Sequence, residues 1–274
     1  MRALALSCMS LLLAGVMAAP AMAQPQRIVS LDYCADQYVL GLARREQIAA
    51  LSPLARSDYA SLADEAEGIP VLRPDAEAVL AARPDLVVRS WGGDGRLMAL
   101  LERLGIEVHQ IGYVTGFDDV RREVRAVSEL LGTPEIGEAV LARMDTALES
   151  VEASNPQTAL YVTPGGVTAG EGTFIDAIIG AAGLTNMARG RPGWSDLPLE
   201  AVAAAAPDII VTGFMNGGTE GVNAWSASRH PVMRRALEQR PAIPLDTGVI
   251  SCASWMAADE AVRLNAFARQ EAQP

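Results

Sequence analysis

Two stretches of the chain follow one template and begin 123 residues apart. In each stretch a glutamate opens an alanine-rich run, a Pro-Asp pair follows seven residues later, and a short apolar run comes next. The first copy extends from Glu77 to Val88 and the second from Glu200 to Val211. An alanine-rich run that leads into a compact apolar run is typical of a helix followed by a buried strand. The repeat therefore predicts two α/β units built on similar plans.

The residues around each copy continue the alternation of helix and strand. Strands are predicted at residues 27–31, 48–51, 85–88 and 106–111 in the first half, and at 158–163, 208–212 and 242–246 in the second half, with helices between them. Continuous apolar strands alternating with helices are typical of parallel sheets covered on both faces. The predicted fold class is α/β, with each lobe a mostly parallel sheet flanked by helices.

Two amphipathic helices separate the predicted lobes. The first covers residues 118–132, and the second begins where Thr133 caps it and Pro134 occupies its first turn. A second helix of about 20 residues would span about 30 Å, which is long enough to join two lobes. The predicted organisation is an N-terminal lobe over residues 24–132, a connecting helix over 133–153 and a C-terminal lobe over 154–274.

The first 23 residues have the features of a cleaved export signal. Arg2 supplies a positive charge, residues 4–16 are apolar, and Ala21 and Ala23 flank a small-x-small cleavage site. The apolar run is too short to be a good membrane span. We expect a signal peptide at residues 1–23 and a mature protein in the periplasm.

Charge and motifs exclude several functional classes. The formal net charge is -11 and the chain contains no lysine, which argues against nucleic acid or an anionic membrane as a partner. The only histidines, His109 and His230, are far apart in the sequence and are expected to be structural. The spacing of histidines, cysteines and carboxylates matches no catalytic or metal-binding motif. The sequence therefore predicts a protein with no catalytic residues, no bound metal ion and no cofactor.

Aromatic and sulfur-containing residues follow the predicted strands. In open parallel sheets ligands bind beyond the carboxyl ends of the strands, and in a two-lobed protein those ends can face each other across a cleft. Aromatic faces there would suit a bulky, flat or partly apolar ligand. The candidate ligand-binding residues at these positions are Tyr33, Cys34, Tyr59, Trp91, Gly92, Phe214, Met215, Cys252 and Trp255.

The chain resembles the periplasmic solute-binding proteins of ABC importers, in the class whose rigid connecting helix joins two lobes and whose members carry vitamin B12, iron-siderophores or haem. The resemblance covers essentially the whole mature chain. It is closest locally to the vitamin B12-binding proteins, in the run from Glu77 through Pro84-Asp85 to Trp91-Gly92-Gly93, in Leu104 to Ile106, and in "RPGWSDLPLEAV" at residues 191–202.

The resemblance implies a monomer that captures a metal chelate between its lobes and delivers it to an ABC permease in the inner membrane. The leading ligands are an iron(III)-siderophore and cobalamin. Trp194 would face the ligand, and Arg56, together with Arg89, Arg189 and Arg191, could meet an anionic siderophore. Glu77 and Glu200 would dock on the permease, although acidic residues in the first turn of a helix are also favoured by the helix dipole alone.

The two cysteine segments depart from the vitamin B12-binding pattern. "SLDYCADQ" and "ISCASW" are similar to a subfamily assigned to iron-chelate uptake, in which both cysteines recur. A disulfide between Cys34 and Cys252 would tether the lobes. Free thiols, or side chains that touch the chelate, are the alternatives.

Two other functional classes remain open at this point. A periplasmic enzyme could use the same interlobe cleft as an active site, although it would need a nucleophile and base or a metal set. A haem-binding or sensor protein of the same fold would use the cleft with another ligand or another partner.

Overall fold

The computed structural model describes residues 24–153, 157–214 and 229–272. The expected signal peptide and the candidate Met215 lie outside the described residues. Within the described ranges, every helix is too short or too polar to cross a bilayer.

The first lobe is built on one parallel sheet. Its strands are β1 (Ile28–Ser30), β2 (Ile48–Ala50), β3 (Leu86–Arg89) and β4 (Glu107–Gln110), and its helices are α1 (Tyr33–Leu42), α2 (Ala76–Ala81), α3 (Gly95–Arg103) and α4 (Phe117–Leu131). The strand order is β2-β1-β3-β4, and all three pairings are parallel. Successive side chains of a strand point to opposite faces. Val88 accordingly packs with residues of α1 and α4, whereas Val87 packs with residues of α2 and α3.

The second lobe is built on a sheet of the same kind. Its strands are β5 (Thr158–Val162), β6 (Val167–Ala169), β7 (Thr185–Asn186), β8 (Trp194–Asp196), β9 (Ile209–Thr212) and β10 (Ala242–Pro244), and its helices are α6 (Phe174–Ala181), α7 (Leu199–Ala204), α8 (Pro231–Gln239) and α9 (Thr247–Ser251). Strands β10-β9-β5-β7 form the parallel sheet, and β6 pairs antiparallel with β8. The β6–β8 pair was not expected, because its glycine-rich surroundings predicted a loop.

The two parallel sheets share one topology. Counting only the strands of each parallel sheet in chain order, the first strand lies between the second and the third, and the fourth lies outside the third. The Pro-Asp pair of the repeated template has the same role in both. The Asp85 carboxylate accepts hydrogen bonds from the backbone N–H groups of Gln26 and Arg27, at 2.8 and 2.9 Å. The Asp208 carboxylate accepts from the N–H and the hydroxyl of Thr158, both at 2.8 Å. Each aspartate thus fixes the start of a third strand to the start of the first.

Helix α5 (Pro134–Glu149) follows α4 and packs between the lobes. Gly132 ends α4 in the left-handed conformation, with φ of 71°. Helix α5 has 16 residues and is about 24 Å long, so the helix itself ends four residues before the predicted boundary at 153. Its Leu141 and Met144 share one hydrophobic cluster with residues of α1 and α4 and with Ala258 of α10 (Ala257–Glu271). The two-lobed α/β fold expected from the sequence is confirmed.

Candidate functional site

Asp32, directly after β1, organises the carboxyl edge of the first sheet. One carboxylate oxygen accepts from the N–H of Ala35 and caps α1. The other accepts from the N–H groups of three consecutive residues after β3, Ser90, Trp91 and Gly92, at 2.8, 3.0 and 2.7 Å. Position 92 requires glycine, because a Cβ there would lie only 2.3 Å from the carbonyl oxygen of Leu31. A single buried carboxylate thus fixes the loops that follow two neighbouring strands.

Three aromatic side chains form a row on this edge. The Tyr33 ring lies edge-on to the Trp91 ring with centroids 5.6 Å apart, and tilted to the Tyr59 ring with centroids 5.8 Å apart. Trp91 nevertheless keeps 54% of its surface exposed. Burial, and then the proximity of Asp32 and Tyr59, raise the pKa of the Tyr33 phenol above its ordinary value. The Tyr33 hydroxyl therefore keeps its proton at neutral pH and can donate a hydrogen bond. We call Trp91, Tyr33 and Tyr59 the aromatic row.

A first cavity of about 460 Å³ opens beside the row. The first lobe lines it with Tyr33, Trp91 and the segment after β4, where Tyr113 is 81% exposed. The second lobe closes it with residues 251–253.

A second cavity of about 540 Å³ lies on the other side of Tyr59. The first lobe lines it with Asp58 and Tyr59, and the second lobe with Phe214, Asp246 and Thr247. Phe214 follows β9 with φ of 59°, a left-handed conformation that is unusual for a bulky side chain. Both cavities are thus bounded by both lobes, at the carboxyl edges of the sheets.

The lobes are joined where α1 meets the segment after α9. Cys34 and Cys252 form a disulfide that lines the first cavity. The Tyr38 hydroxyl donates to the carbonyl of Ala253 at 3.0 Å. The Trp255 ring packs edge-on to Tyr38, where a Cβ on Gly41 would lie only 2.4 Å from the indole. Covalent, polar and packing contacts therefore hold the lobes together at the floor of the cleft.

The structure brings together most of the candidate residues. Tyr33, Cys34, Trp91 and Cys252 line the first cavity, and Tyr59 and Phe214 line the second. Gly92 lies at the same edge, where it provides a backbone N–H for Asp32 and room for Leu31.

Three candidates lie elsewhere. The Arg56 guanidinium donates to the carbonyls of Ala66 and Ile69, so it holds its own loop together. Trp255 fills the gap over Gly41 and serves interlobe packing. Trp194 stands at the start of β8, half exposed and edge-on to Tyr161, and lines neither cavity.

Several residues of the cleft were not selected from the sequence. They are Asp32, Ser90, Gln110, Asp58, Asp246 and Thr247. Gln110 ends β4, and Asp246 and Thr247 follow β10 closely, so applying the strand-end rule to every strand would have found them. Asp32 carries the sequence signal of a helix cap directly after a strand. Its second set of hydrogen bonds depends on the tertiary approach of β3, which no local pattern indicates.

Both histidines have structural partners. His109 Nε2 lies 3.0 Å from a carboxylate oxygen of Glu123, and His230 Nδ1 accepts from the N–H of Val232 at the start of α8. Among the described residues, His, Cys, Asp and Glu side chains form no group of three or more that could hold a metal ion.

Glu77 and Glu200 lie at matching places in the two lobes. Each is exposed in the first turn of a helix, α2 or α7, that runs back along its sheet. Ala76 shares a surface pocket with Gly93 and Asp94, beyond β3. The N–H of Leu197, just before α7, donates to the carbonyl of Gly166, beyond β5. Both glutamates therefore lie at the carboxyl edges, on the same side of the molecule as the cleft.

Sequence comparison gives two results. Residues 28–241 match the profile of the family described as periplasmic binding protein. A cobalamin-binding protein of Halobacterium salinarum strain R1 is 28% identical over 200 residues, which cover 69% of this chain and 54% of that protein. The chain spans about half the length of the curated relatives it matches.

Solved structures share the fold. The periplasmic heme-binding protein RhuT from Roseiflexus sp. RS-1, in apo form, superimposes with a TM-score of 0.70 at 22% identity, covering 90% of this chain and 99% of that chain. The periplasmic vitamin B12 binding protein BtuF of Vibrio cholerae gives a TM-score of 0.58 at 19% identity, covering 90% and 98%. With two lobes around an open cleft and a family match over most of its length, the chain belongs to the periplasmic binding protein family, a family of binding proteins rather than enzymes.

Proposed function

We propose that the chain is the substrate-binding component of an ABC importer. It is exported to the periplasm with residues 1–23 removed, captures a metal chelate in the interlobe cleft as a monomer, and delivers it to a permease in the inner membrane. Cobalamin and iron(III)-siderophores are the ligands proposed.

The aromatic row carries this proposal. Trp91 is more than half exposed although it contacts Tyr33, and both lie beside a cavity bounded by the two lobes. Large exposed aromatic surface on a protein is typical of a binding site. Flat aromatic faces suit a macrocycle or the apolar periphery of a chelate, and a neutral Tyr33 hydroxyl adds a hydrogen-bond donor. The similarity to a cobalamin-binding protein supports the same class of ligand.

The role of the aromatic row is tested by titrating the protein, from residue 24 onward, with cyanocobalamin, ferrichrome and ferrioxamine B while following tryptophan fluorescence. We expect at least one chelate to quench the emission and to bind with a sub-micromolar Kd. Trp91→Ala should weaken that binding by about 1.5–3 kcal/mol, or roughly 10- to 100-fold, because it removes the exposed face of the row.

Leu104→Ala is the matched control. Leu104 is 54% exposed, like Trp91, but it lies after α3 at the opposite edge of the same sheet. Calorimetric titration should show unchanged affinity in this variant. No response to any chelate, or equal weakening by both substitutions, would contradict the proposed function.

Docking on the permease would use the carboxyl edges of both lobes. Glu77 and Glu200 place one exposed carboxylate beside the cleft on each lobe, so a permease with two suitably spaced cations could contact both at once. The combined variant Glu77→Arg, Glu200→Arg should abolish stimulation of the permease ATPase while leaving chelate affinity unchanged. Glu102→Arg, in the last turn of α3 at the amino edge, is the control and should stimulate normally. Intact stimulation by the double variant would refute docking through these residues.

A further inference from the structure

We infer that the cleft selects its chelate by charge: it accepts uncharged and cationic chelates and rejects anionic ones, with Asp58 and Asp246 as the specificity-determining residues. This inference rests on the proposed function and narrows its ligand class.

The first cavity offers no charged side chain to a ligand. Its hydrogen-bonding groups are neutral, and include the hydroxyls of Ser90 and Ser251 and the amide of Gln110. Burial raises the pKa of Tyr33 and that of Tyr38, so both phenols stay protonated. The two cysteines of this cavity are joined in the disulfide and carry no thiolate. A ligand in this cavity is therefore held by aromatic faces and neutral polar groups.

The second cavity is acidic. Asp58 from the first lobe and Asp246 from the second both line it, beside the aromatic rings of Tyr59 and Phe214. Asp246 also caps α9 through the N–H of Val249, which holds its carboxylate in place. In the part of the chain that the structure describes, neither carboxylate has an arginine within ion-pairing distance. The negative charge of the cavity is therefore not neutralised by the protein itself.

The arginines closest in sequence to the cleft are directed elsewhere. Arg56 donates to two carbonyls of its own loop. Arg89 donates to the carbonyl of Trp91 at 3.1 Å and lines neither cavity.

The cleft should therefore prefer ligands of one sign of charge. An anionic chelate would place its charge beside two carboxylates that no arginine pairs with, which disfavours binding and slows approach. A cationic chelate would be attracted, and a neutral one would bind through the aromatic row alone. We expect an anionic chelate to bind at least tenfold more weakly than a neutral chelate of the same shape.

The test uses ligands that differ in charge, and the corrinoids among them are also matched in shape. For corrinoids these are aquacobalamin, cyanocobalamin and cyanocobalamin monocarboxylate, with charges of +1, 0 and −1. For siderophores they are ferrioxamine B, ferrichrome and ferric enterobactin, with charges of +1, 0 and −3. Within whichever class binds, calorimetry should rank the cation and the neutral chelate above the anion by at least tenfold.

The variant Asp58→Asn, Asp246→Asn tests the residues. Asparagine also caps helices, so α9 should persist. The variant should bind the anion several-fold more tightly and the cation more weakly, with the neutral chelate unchanged. The control Glu102→Gln, Glu107→Gln removes the same number of charges from exposed positions at the amino edge and should leave all affinities unaltered.

The outcomes separate this inference from the proposed function. An anion that binds as tightly as its neutral counterpart, or a cleft variant that behaves like the control, would overturn charge selection while leaving chelate capture intact. Failure of every chelate in both classes would overturn the proposed function and the inference with it.

Discussion

The two lobes are alike at the amino edges of their sheets and different at the carboxyl edges. At the amino edges, Asp85 and Asp208 each accept two hydrogen bonds from the start of the neighbouring strand. At the carboxyl edges, the first lobe presents the aromatic row, whereas the second presents Phe214, a short helix, and the side chains of Asp246 and Thr247.

This difference separates the parts of the fold that maintain the sheet from those that face the ligand. Strand pairing depends on the amino-edge aspartates, so the same solution serves both lobes. The loops beyond the strands take no part in the pairing of the parallel sheets, and each lobe can offer different chemistry across the cleft. One lobe supplies a rigid aromatic surface, and the other supplies polar groups and closes the floor.

The largest expected effect comes from removing the covalent bond between these regions. In the chain-entropy model, a disulfide across 218 residues stabilises the folded state by about 5 kcal/mol. The variant Cys34→Ser, Cys252→Ser should lose stability of this order in urea unfolding. A reductant should lower the midpoint of the natural protein to the same extent and leave the variant unaffected. A variant that unfolds at the same midpoint as the oxidised protein would show that packing alone holds the lobes.

A smaller loss of stability is expected from removing the aspartates that cap helices at the two carboxyl edges. Asp32→Ala removes the cap of α1 and the acceptor for the three N–H groups of Ser90 to Gly92, and should cost about 4 kcal/mol. Asp246→Ala removes a cap with one N–H partner, Val249, and should cost about 1 kcal/mol. Only the first variant should also alter Trp91 fluorescence. Equal losses in thermal or urea unfolding would contradict the organising role assigned to Asp32.

The smallest contrast between the lobes is in how their buried acidic residues change the stability of the protein with pH. Asp36 in the first lobe is bound by the N–H and hydroxyl of Ser52, whereas Glu260 in the second is paired with Arg263. Burial raises the pKa of Asp36 from 3.8 to about 6, with hydrogen bonds from Ser30 and Ser52 opposing the shift. The folded state therefore favours the protonated carboxyl, and the stability it contributes below pH 4 is lost as the pH rises through 6.

Asp36→Asn should remove this dependence, because asparagine can keep both hydrogen bonds without ionising. Relative to the variant, the natural protein should lose up to about 3 kcal/mol of unfolding free energy between pH 4 and pH 7. Glu260→Gln breaks an ion pair and is expected to lower stability at pH 7 instead. Urea unfolding of both variants at these two pH values measures the contrast, and a pH-independent difference for Asp36→Asn would exclude the shifted titration.

Much of the fold followed from local patterns. Helix α4 was predicted at 118–132 and lies at 117–131, and the Glu-to-Pro-Asp repeat correctly indicated two similar units. The strand-end rule selected Tyr33, Tyr59, Trp91 and Phe214 because all parallel strands end at one edge. These features depend on hydrophobic periodicity and on the order of helices and strands, both of which can be read from the sequence.

The remaining features depend on neighbours that are distant in sequence. The strand-end rule also selected Trp255, but that side chain turns into the gap over Gly41, 214 positions earlier in the chain. Arg56 carries a charge that suits an anion, yet two nearby carbonyls already bind it. The β6–β8 pair forms between segments that are each too short and glycine-rich to indicate a strand alone. The position of a residue along a strand indicates the edge of the sheet at which it lies, but not the direction in which its side chain points.

The disulfide also constrains how the protein is made. Residues 24–274 contain two cysteines, so within this range oxidation has a single intramolecular product and no wrong pairing to correct. Cys252 follows Cys34 by 218 positions and leaves the ribosome long after it. Within residues 24–274, Cys34 therefore has no partner until synthesis reaches Cys252, and the covalent floor of the cleft forms only after both lobes have largely been made.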